Sequence, residues 1–258
     1  MSTPRRCLLG ALLAALLPLP LPAQAGLPEV VAAAKPSVMA VGVYDPVASP
    51  RFAFRGTGFI VGDGRHLATN AHVLPDEPVA LSKLVMMFSG NRRVGVDAPA
   101  EIRGLTLVGV DRLHDVALLR FEGDLLPPLA LAEAPAREGQ SVAFMGFPIG
   151  SALGFAPVTH RGIVSSIVPF ALPPPNAGQL DAAAIARLRR PPFVVYQLDA
   201  TAYPGNSGGP LFDADTGQVL GLLNMVLVKS SRESVLSQPT GISYAIPVEH
   251  LRALMERK

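Results

Sequence analysis

The chain has 258 residues, 49% of them hydrophobic and only 16% charged, which excludes a disordered polypeptide and provides enough apolar residues for a packed core. With Arg5 and Arg6 of the N-terminal stretch set aside, the 22 basic residues become 20, equal to the 20 acidic ones. A neutral remainder gives no electrostatic basis for binding nucleic acid or an anionic membrane. The 24 glycines and 26 prolines suit a turn-rich β protein better than a helical bundle.

Residues 1–25 read as a secretory signal. Arg5 and Arg6 form a basic start, Leu8 to Leu21 an apolar run, and Ala23-Gln24-Ala25 a small-residue cleavage site. Pro18, Pro20 and Pro22 interrupt the run before it reaches the roughly 20 apolar residues that a spanning helix needs, so no stable membrane anchor is expected. Cleavage after Ala25 would deliver the chain to a bacterial periplasm or the exterior. Cys7, the one cysteine, would leave with the leader, which excludes disulfides, thiolate metal sites and cysteine catalysis in the mature chain.

Beyond the leader, Pro28 to Ala34 predicts a short helix stopped by Pro36. Short apolar runs between Gly, Pro and Asp predict strands at 37–44, 58–61, 66–71, 81–88, 101–111, 116–121, 141–147, 162–168, 194–198, 210–212, 219–228 and 243–246. Such a series predicts an all-β barrel or sandwich. Val248 to Lys258 predicts a C-terminal helix with Leu251, Leu254 and Met255 on one face. Phe170 to Pro192 breaks the rhythm with Pro173-Pro174-Pro175 and a basic helical stretch over Asp181–Arg190. Arg187, Arg189 and Arg190 there read either as a solvated face or as a partner site.

Three local sequences carry chemistry. In Gly205-Asn206-Ser207-Gly208-Gly209-Pro210-Leu211, glycines permit a tight turn that exposes a serine hydroxyl and aims backbone N–H groups at one point. In Leu67-Ala68-Thr69-Asn70-Ala71-His72, a histidine ends an apolar strand, where packing would fix its ring as a general base requires; a buried structural histidine has the same signature. In Asp115-Val116-Ala117-Leu118, an aspartate heads an apolar strand, where it can orient an imidazole or simply shape a turn; Asp111 is its rival. His66, His114, His160 and His250 lack this context, and His114 reads as a surface residue.

The order His72, Asp115, Ser207 and these three sequences resemble a chymotrypsin-fold serine protease, and more closely the HtrA/Deg branch of bacterial exported proteases. Asp199-Ala200-Thr201-Ala202-Tyr203-Pro204-Gly205-Asn206-Ser207, Gly146-Phe147-Pro148-Ile149-Gly150, Gly162-Ile163-Val164-Ser165 and Tyr244-Ala245-Ile246-Pro247 match that branch as well. The resemblance covers residues 29–255. It implies two perpendicular six-stranded antiparallel β-barrels, about 37–125 and 135–246, within one protease domain over 26–258, with a triad in the cleft between them. By the same resemblance Ser207 would be the nucleophile, His72 the base and then the acid, and Asp115 the orienting carboxylate. The turn Gly205-Asn206-Ser207 would form the oxyanion hole through the N–H groups of Gly205 and Ser207.

Neutral Asn206 replaces the aspartate that digestive enzymes of this fold pair with a cleavage-created amine, so activation by such cleavage is not expected. Thr201 occupies the pocket-base position, where the lack of an acid disfavours cleavage after Lys or Arg. Tyr203, Asn224, Met225 and Val226 would complete the substrate-binding wall and edge, favouring a small or medium apolar residue at the cleavage position. HtrA-like proteins usually continue into PDZ domains, whereas this sequence stops at Lys258, so PDZ-driven sensing is not expected; monomer and homotrimer both stay open. The mechanism needs no metal or other cofactor. The expectation is an exported serine endopeptidase acting on protein or peptide substrates, in a role such as protein quality control, with the 170–192 loop regulating it. The alternative is a protease-fold, chaperone-like protein that holds polypeptide in the cleft without efficient hydrolysis.

Overall fold

The computed structural model describes residues 26–89, 100–150, 155–170, 193–224 and 241–257. Thirteen strands are described. β1 (Val38–Tyr44), β2 (Phe52–Val61), β3 (His66–Thr69), β4 (Leu84–Ser89), β5 (Ala100–Gly104), β6 (Thr106–Asp111) and β7 (Val116–Arg120) form a curled antiparallel sheet in the order β5-β4-β1-β2-β3-β7-β6. β8 (Ser141–Gly146), β9 (Val158–Phe170), β10 (Phe193–Asp199), β11 (Pro210–Asp213), β12 (Val219–Leu223) and β13 (Ile242–Pro247) close into a six-stranded barrel, β10-β13-β12-β11-β8-β9. Among the described residues three α-helices accompany them: α1 (Leu27–Ala34), α2 (Pro78–Leu81) and α3 (Val248–Glu256). The architecture is the chymotrypsin-like pair of β units with a C-terminal helix.

The first unit departs from six closed strands in one respect. The single apolar run at 101–111 splits into β5 and β6 because Leu105 turns inward, buried, and donates its N–H to Leu84 O (2.9 Å). The sheet therefore has seven strands and open edges at β5 and β6. β2 begins at Phe52, earlier than the expected Gly58, and β9 at Val158 rather than Gly162. Leader residues 1–25 and the loop 171–192 lie outside the described residues.

Alternation along the central strands serves two cores rather than core and solvent. On β7, Ala117 and Leu119 face the interior of the first sheet with Met39, Ile60 and Leu67. Val116 and Leu118 face the opposite way, against Val195, Val219 and Leu222 of the barrel and Leu251 and Leu254 of α3. On β12, Leu223 fills the barrel with Phe144, Leu198 and Leu211, and a bulge that leaves Leu220 unpaired against β11 sends its side chain into the same core. Each strand with period-two side chains buried on both faces welds the two units together. Removing a fully buried leucine such as Leu118 from this seam costs about 2–5 kcal/mol.

Candidate active site

His72 sits in a 3₁₀ turn, Ala71–Val73, directly after β3. Asp115 opens β7 from a left-handed conformation (φ 55°), which an aspartate tolerates better than most residues. That backbone lets its carbonyl and its carboxylate both face the histidine turn. The carbonyl accepts from Ala71 N–H (3.1 Å) and Asn70 Nδ2 (3.0 Å). Carboxylate oxygen Oδ1 accepts from His72 N–H (2.8 Å), and Oδ2 lies 2.6 Å from His72 Nδ1. A carboxylate only accepts, so the proton of this pair lies on Nδ1 and leaves Nε2 with the basic lone pair. The pair is one-quarter exposed or thereabouts, with side chains 28% and 22% accessible, so the ring is reachable but not freely solvated.

Ser207 lies in a turn that glycine alone can make at two places. Gly205 (φ 103°) and Gly208 (φ 82°) are left-handed, and a Cβ at Gly208 would fall 2.2 Å from Thr57 O. The turn is stitched by Asn206 N–H to Tyr203 O (3.0 Å), Gly209 N–H to Asn206 O (2.9 Å) and Gly208 N–H to Leu223 O (2.9 Å). The Asn206 N–H is thereby turned into the loop. The Asn206 side chain is buried against Gly146.

β2 brings the two halves together. Thr57 donates its N–H to Ser207 O (2.8 Å) and its hydroxyl to Gly205 O (2.7 Å), and it accepts from Phe147 N–H and Thr69 Oγ1. Arg55 reaches from the same strand to the carbonyls of Val73 and Leu74, just past His72. A Cβ on Gly56 would stand 2.7 Å from Val73 and 3.0 Å from Ser207 O, so the serine turn and the histidine turn flank one glycine.

Asn224, expected on the substrate-binding wall, is joined to the histidine–aspartate pair. It is fully buried, and its Nδ2 donates to Asp115 Oδ2 at 2.6 Å, across 109 positions of sequence. Met225 and Val226 lie outside the described residues. Thr201 and Tyr203 are part-exposed on the approach to Ser207, with the Tyr203 ring 6.0 Å from that of His160. His160 stacks on Phe144, and burial pushes its pKa below the ordinary 6.5. Asp111, the rival carboxylate, caps its own hairpin and pairs with His114 Nδ1 (2.8 Å) instead of His72. Burial opposes its ionisation, but the bonds from His114 outweigh this and hold it below the usual 3.8. His114 is not the surface residue expected: it stacks against His250 of α3, centroids 3.8 Å apart. Among the described residues, no group of three or more His, Cys, Asp or Glu is placed to hold a metal ion. No described helix is long and apolar enough to cross a membrane.

Comparison with known proteins agrees with this geometry. Residues 56–222, well over half of the chain, match the trypsin-like peptidase domain family. The chain belongs to that family. A probable periplasmic serine endoprotease DegP-like of Halomonas elongata is 32% identical over 197 residues, 75% of this chain and 33% of that protein. The serine protease Rv3671c of Mycobacterium tuberculosis is 33% identical over 194 residues, covering 75% of this chain and 41% of that protein. The chain thus spans a third to two-fifths of the length of these relatives. The crystal structure of Rv3671c in its active form superposes with a TM-score of 0.62 at 24% identity, covering 88% of this chain and 82% of that one. A serine endoprotease from Yersinia pestis gives 0.61 at 23% identity, covering 90% of this chain and 66% of that one. Both neighbours share the fold.

Proposed function

We propose that this trypsin-like peptidase is a serine endopeptidase that hydrolyses peptide bonds through Ser207, His72 and Asp115. The observation that carries the reading is the His72–Asp115 pair at 2.6 Å, held beside the Ser207 turn through Gly56 and Thr57. Asp115 keeps the Nδ1 proton and so presents His72 Nε2 as a base. Nε2 takes the proton of Ser207 Oγ as that oxygen bonds to the scissile carbonyl carbon. The carbonyl oxygen gains the negative charge, facing the N–H groups of Gly205 and Ser207. His72 returns the proton to the departing nitrogen, the C–N bond breaks, and an acyl-Ser207 remains. Water, deprotonated by His72, adds to the ester carbon; the C–Oγ bond then breaks, the acid product leaves, and His72 returns the proton to Ser207 Oγ.

Three further readings go with it. Residues 1–25 direct export and are removed after Ala25, in keeping with relatives named periplasmic. Unfolded protein is the substrate class, in a quality-control role. Thr201 leaves the pocket without an acid, so small or medium apolar residues precede the cleaved bond. Turnover of a denatured protein by the wild type, and none by Ser207→Ala, is the expected result. Labelling by a fluorophosphonate should depend on both Ser207 and His72. A folded wild-type chain that neither labels nor cleaves would be a polypeptide binder instead.

A further inference from the structure

β2 does not pair evenly with β1. Val41 lies opposite Gly56 and Gly42 opposite Phe54, so Arg55 is an extra residue with no partner on β1, a β-bulge. Residues directly opposite one another share a face of the sheet. Ala40 and Gly42 share one face of β1, so their partners Thr57 and Phe54 share it too, and the bulge turns Arg55 and Gly56 together toward the other face. The histidine turn packs there. Gly56 leaves room for it, since a Cβ at that position would crowd Val73. Arg55 grips it: Nε donates to Val73 O at 2.5 Å and Nη2 to Leu74 O at 3.0 Å.

These two carbonyls end the 3₁₀ turn Ala71–Val73, where backbone acceptors lack partners within the turn itself. The next residue, Pro75, has no N–H to offer them. At the other end of the turn, Asp115 takes the N–H of His72 on its carboxylate and that of Ala71 on its carbonyl. An acidic residue thus holds the donors of the turn and a cation holds its acceptors, with His72 between them. Hydrogen bonds to charged groups are the stronger kind, and the guanidinium fork serves two acceptors at once.

We infer that Arg55 is a positioning residue for His72: delivered by the bulge, its guanidinium clamps the carbonyls of Val73 and Leu74 and so holds the imidazole in place beside the Ser207 turn. The inference rests on the proposed role of His72 as the base. A misplacement of about 1 Å costs on the order of 10²-fold in rate, so the clamp reaches the chemistry without touching it.

Two rates isolate the clamp. One is turnover of a denatured protein; the other is modification of Ser207 by a fluorophosphonate, which needs the base but no bound polypeptide. Arg55→Ala is expected to lower kcat and the modification rate together, by about 10- to 100-fold, with KM little changed. Because Arg55 is exposed, free guanidinium can enter its place. Millimolar guanidinium chloride, far below denaturing concentrations, should raise both rates of Arg55→Ala and leave the wild type unchanged. Arg55→Lys, with one compact ammonium in place of a fork, should fall between the two. Thermal unfolding of the same samples shows which variants are folded at the assay temperature. Should Arg55→Ala fail to fold, Arg55→Met, which keeps the aliphatic stem without the donors, takes its place under the same criteria. A folded variant with wild-type rates overturns the clamp. So does a loss confined to KM, which would make Arg55 a substrate contact, and so do lowered rates that neither guanidinium nor Arg55→Lys raises. A wild type that cleaves nothing and resists the fluorophosphonate removes the hydrolytic reading and the clamp with it, whereas a reactive wild type beside an equally reactive Arg55→Ala removes only the clamp.

Discussion

Two of the three histidine–aspartate pairs among the described residues look alike and sit in different surroundings. His72–Asp115 and His114–Asp111 both join Nδ1 to a carboxylate oxygen, at 2.6 and 2.8 Å. Asp111 and His114 are three residues apart in one hairpin, where the carboxylate also caps Leu113 N–H and His114 N–H. Their ring face is covered by His250, and Phe193 meets both rings edge-on. His72 and Asp115 come from separate turns, Asn224 adds a third donor to the carboxylate, and the Ser207 turn stands alongside. An imidazole–carboxylate pair is therefore not a catalytic signal in itself. Its surroundings decide whether the free nitrogen meets a reacting group or a packed helix.

Substitution should separate the pairs most sharply at the rings. His72→Ala is expected to lower kcat by about 10⁵–10⁶, as removal of the base does in enzymes of this mechanism. His114→Ala should leave kcat within a few-fold while lowering the melting temperature, read by peptide kinetics and thermal unfolding on the same samples. At the carboxylates, Asp115→Asn is expected to lower kcat about 10⁴-fold by presenting the wrong imidazole tautomer. Asp111→Asn should act on stability only. Equal kinetic effects for the two aspartates would dissolve the distinction.

A smaller effect is expected at Asn224. Its bond to the Asp115 carboxylate is a charge-assisted one, worth about 1.5–3 kcal/mol, so Asn224→Ala should lower kcat roughly 10- to 100-fold with KM nearly constant. A rise in KM alone would return Asn224 to the substrate-contacting role first expected of it.

The mildest test uses acid. Burial, and after it the proximity of His114, lowers the His250 pKa below its ordinary 6.5, against the opposing pull of Glu249 and Asp111. The unfolded chain then takes up the proton before the folded one does. Stability is complete above about pH 6.5 and falls as pH drops through the window down to the folded-state value, below which this contribution is flat. His160, lowered by burial, adds to the same slope. Asp111 and Asp213, held below 3.8 by hydrogen bonds that outweigh their burial, act only in stronger acid, where stability is lost as they protonate. Urea unfolding between pH 7 and 5 should show His250→Phe flattening the slope; an unchanged slope would mean that α3 docking does not sense protons.

Much of the candidate site was legible because its signals are short-range. The glycines around Ser207 are required by positive φ and by backbone approaches too close for a Cβ, and the five residues Gly205–Gly209 record both. Apolar runs placed most strands within a few residues, since period-two burial is a local pattern. What escaped was set by partners distant in the chain. Asn224 reads as a pocket residue until its amide is found on Asp115, and His114 as a surface residue until α3 lies across it. The seventh strand of the first unit was hidden because Leu105 is apolar like its neighbours, and only its bond to Leu84 O shows the chain turning there.

By itself, the sequence determined which residues could make a nucleophile turn, a strand-end histidine and a buried carboxylate, and that these belong to a trypsin-like peptidase. Tertiary structure decided which carboxylate meets which ring and which distant side chain donates to that carboxylate. The reason is physical: steric and conformational preferences act between neighbours along the chain, while hydrogen-bond partnership depends on strand register and sheet curvature, which no local segment encodes.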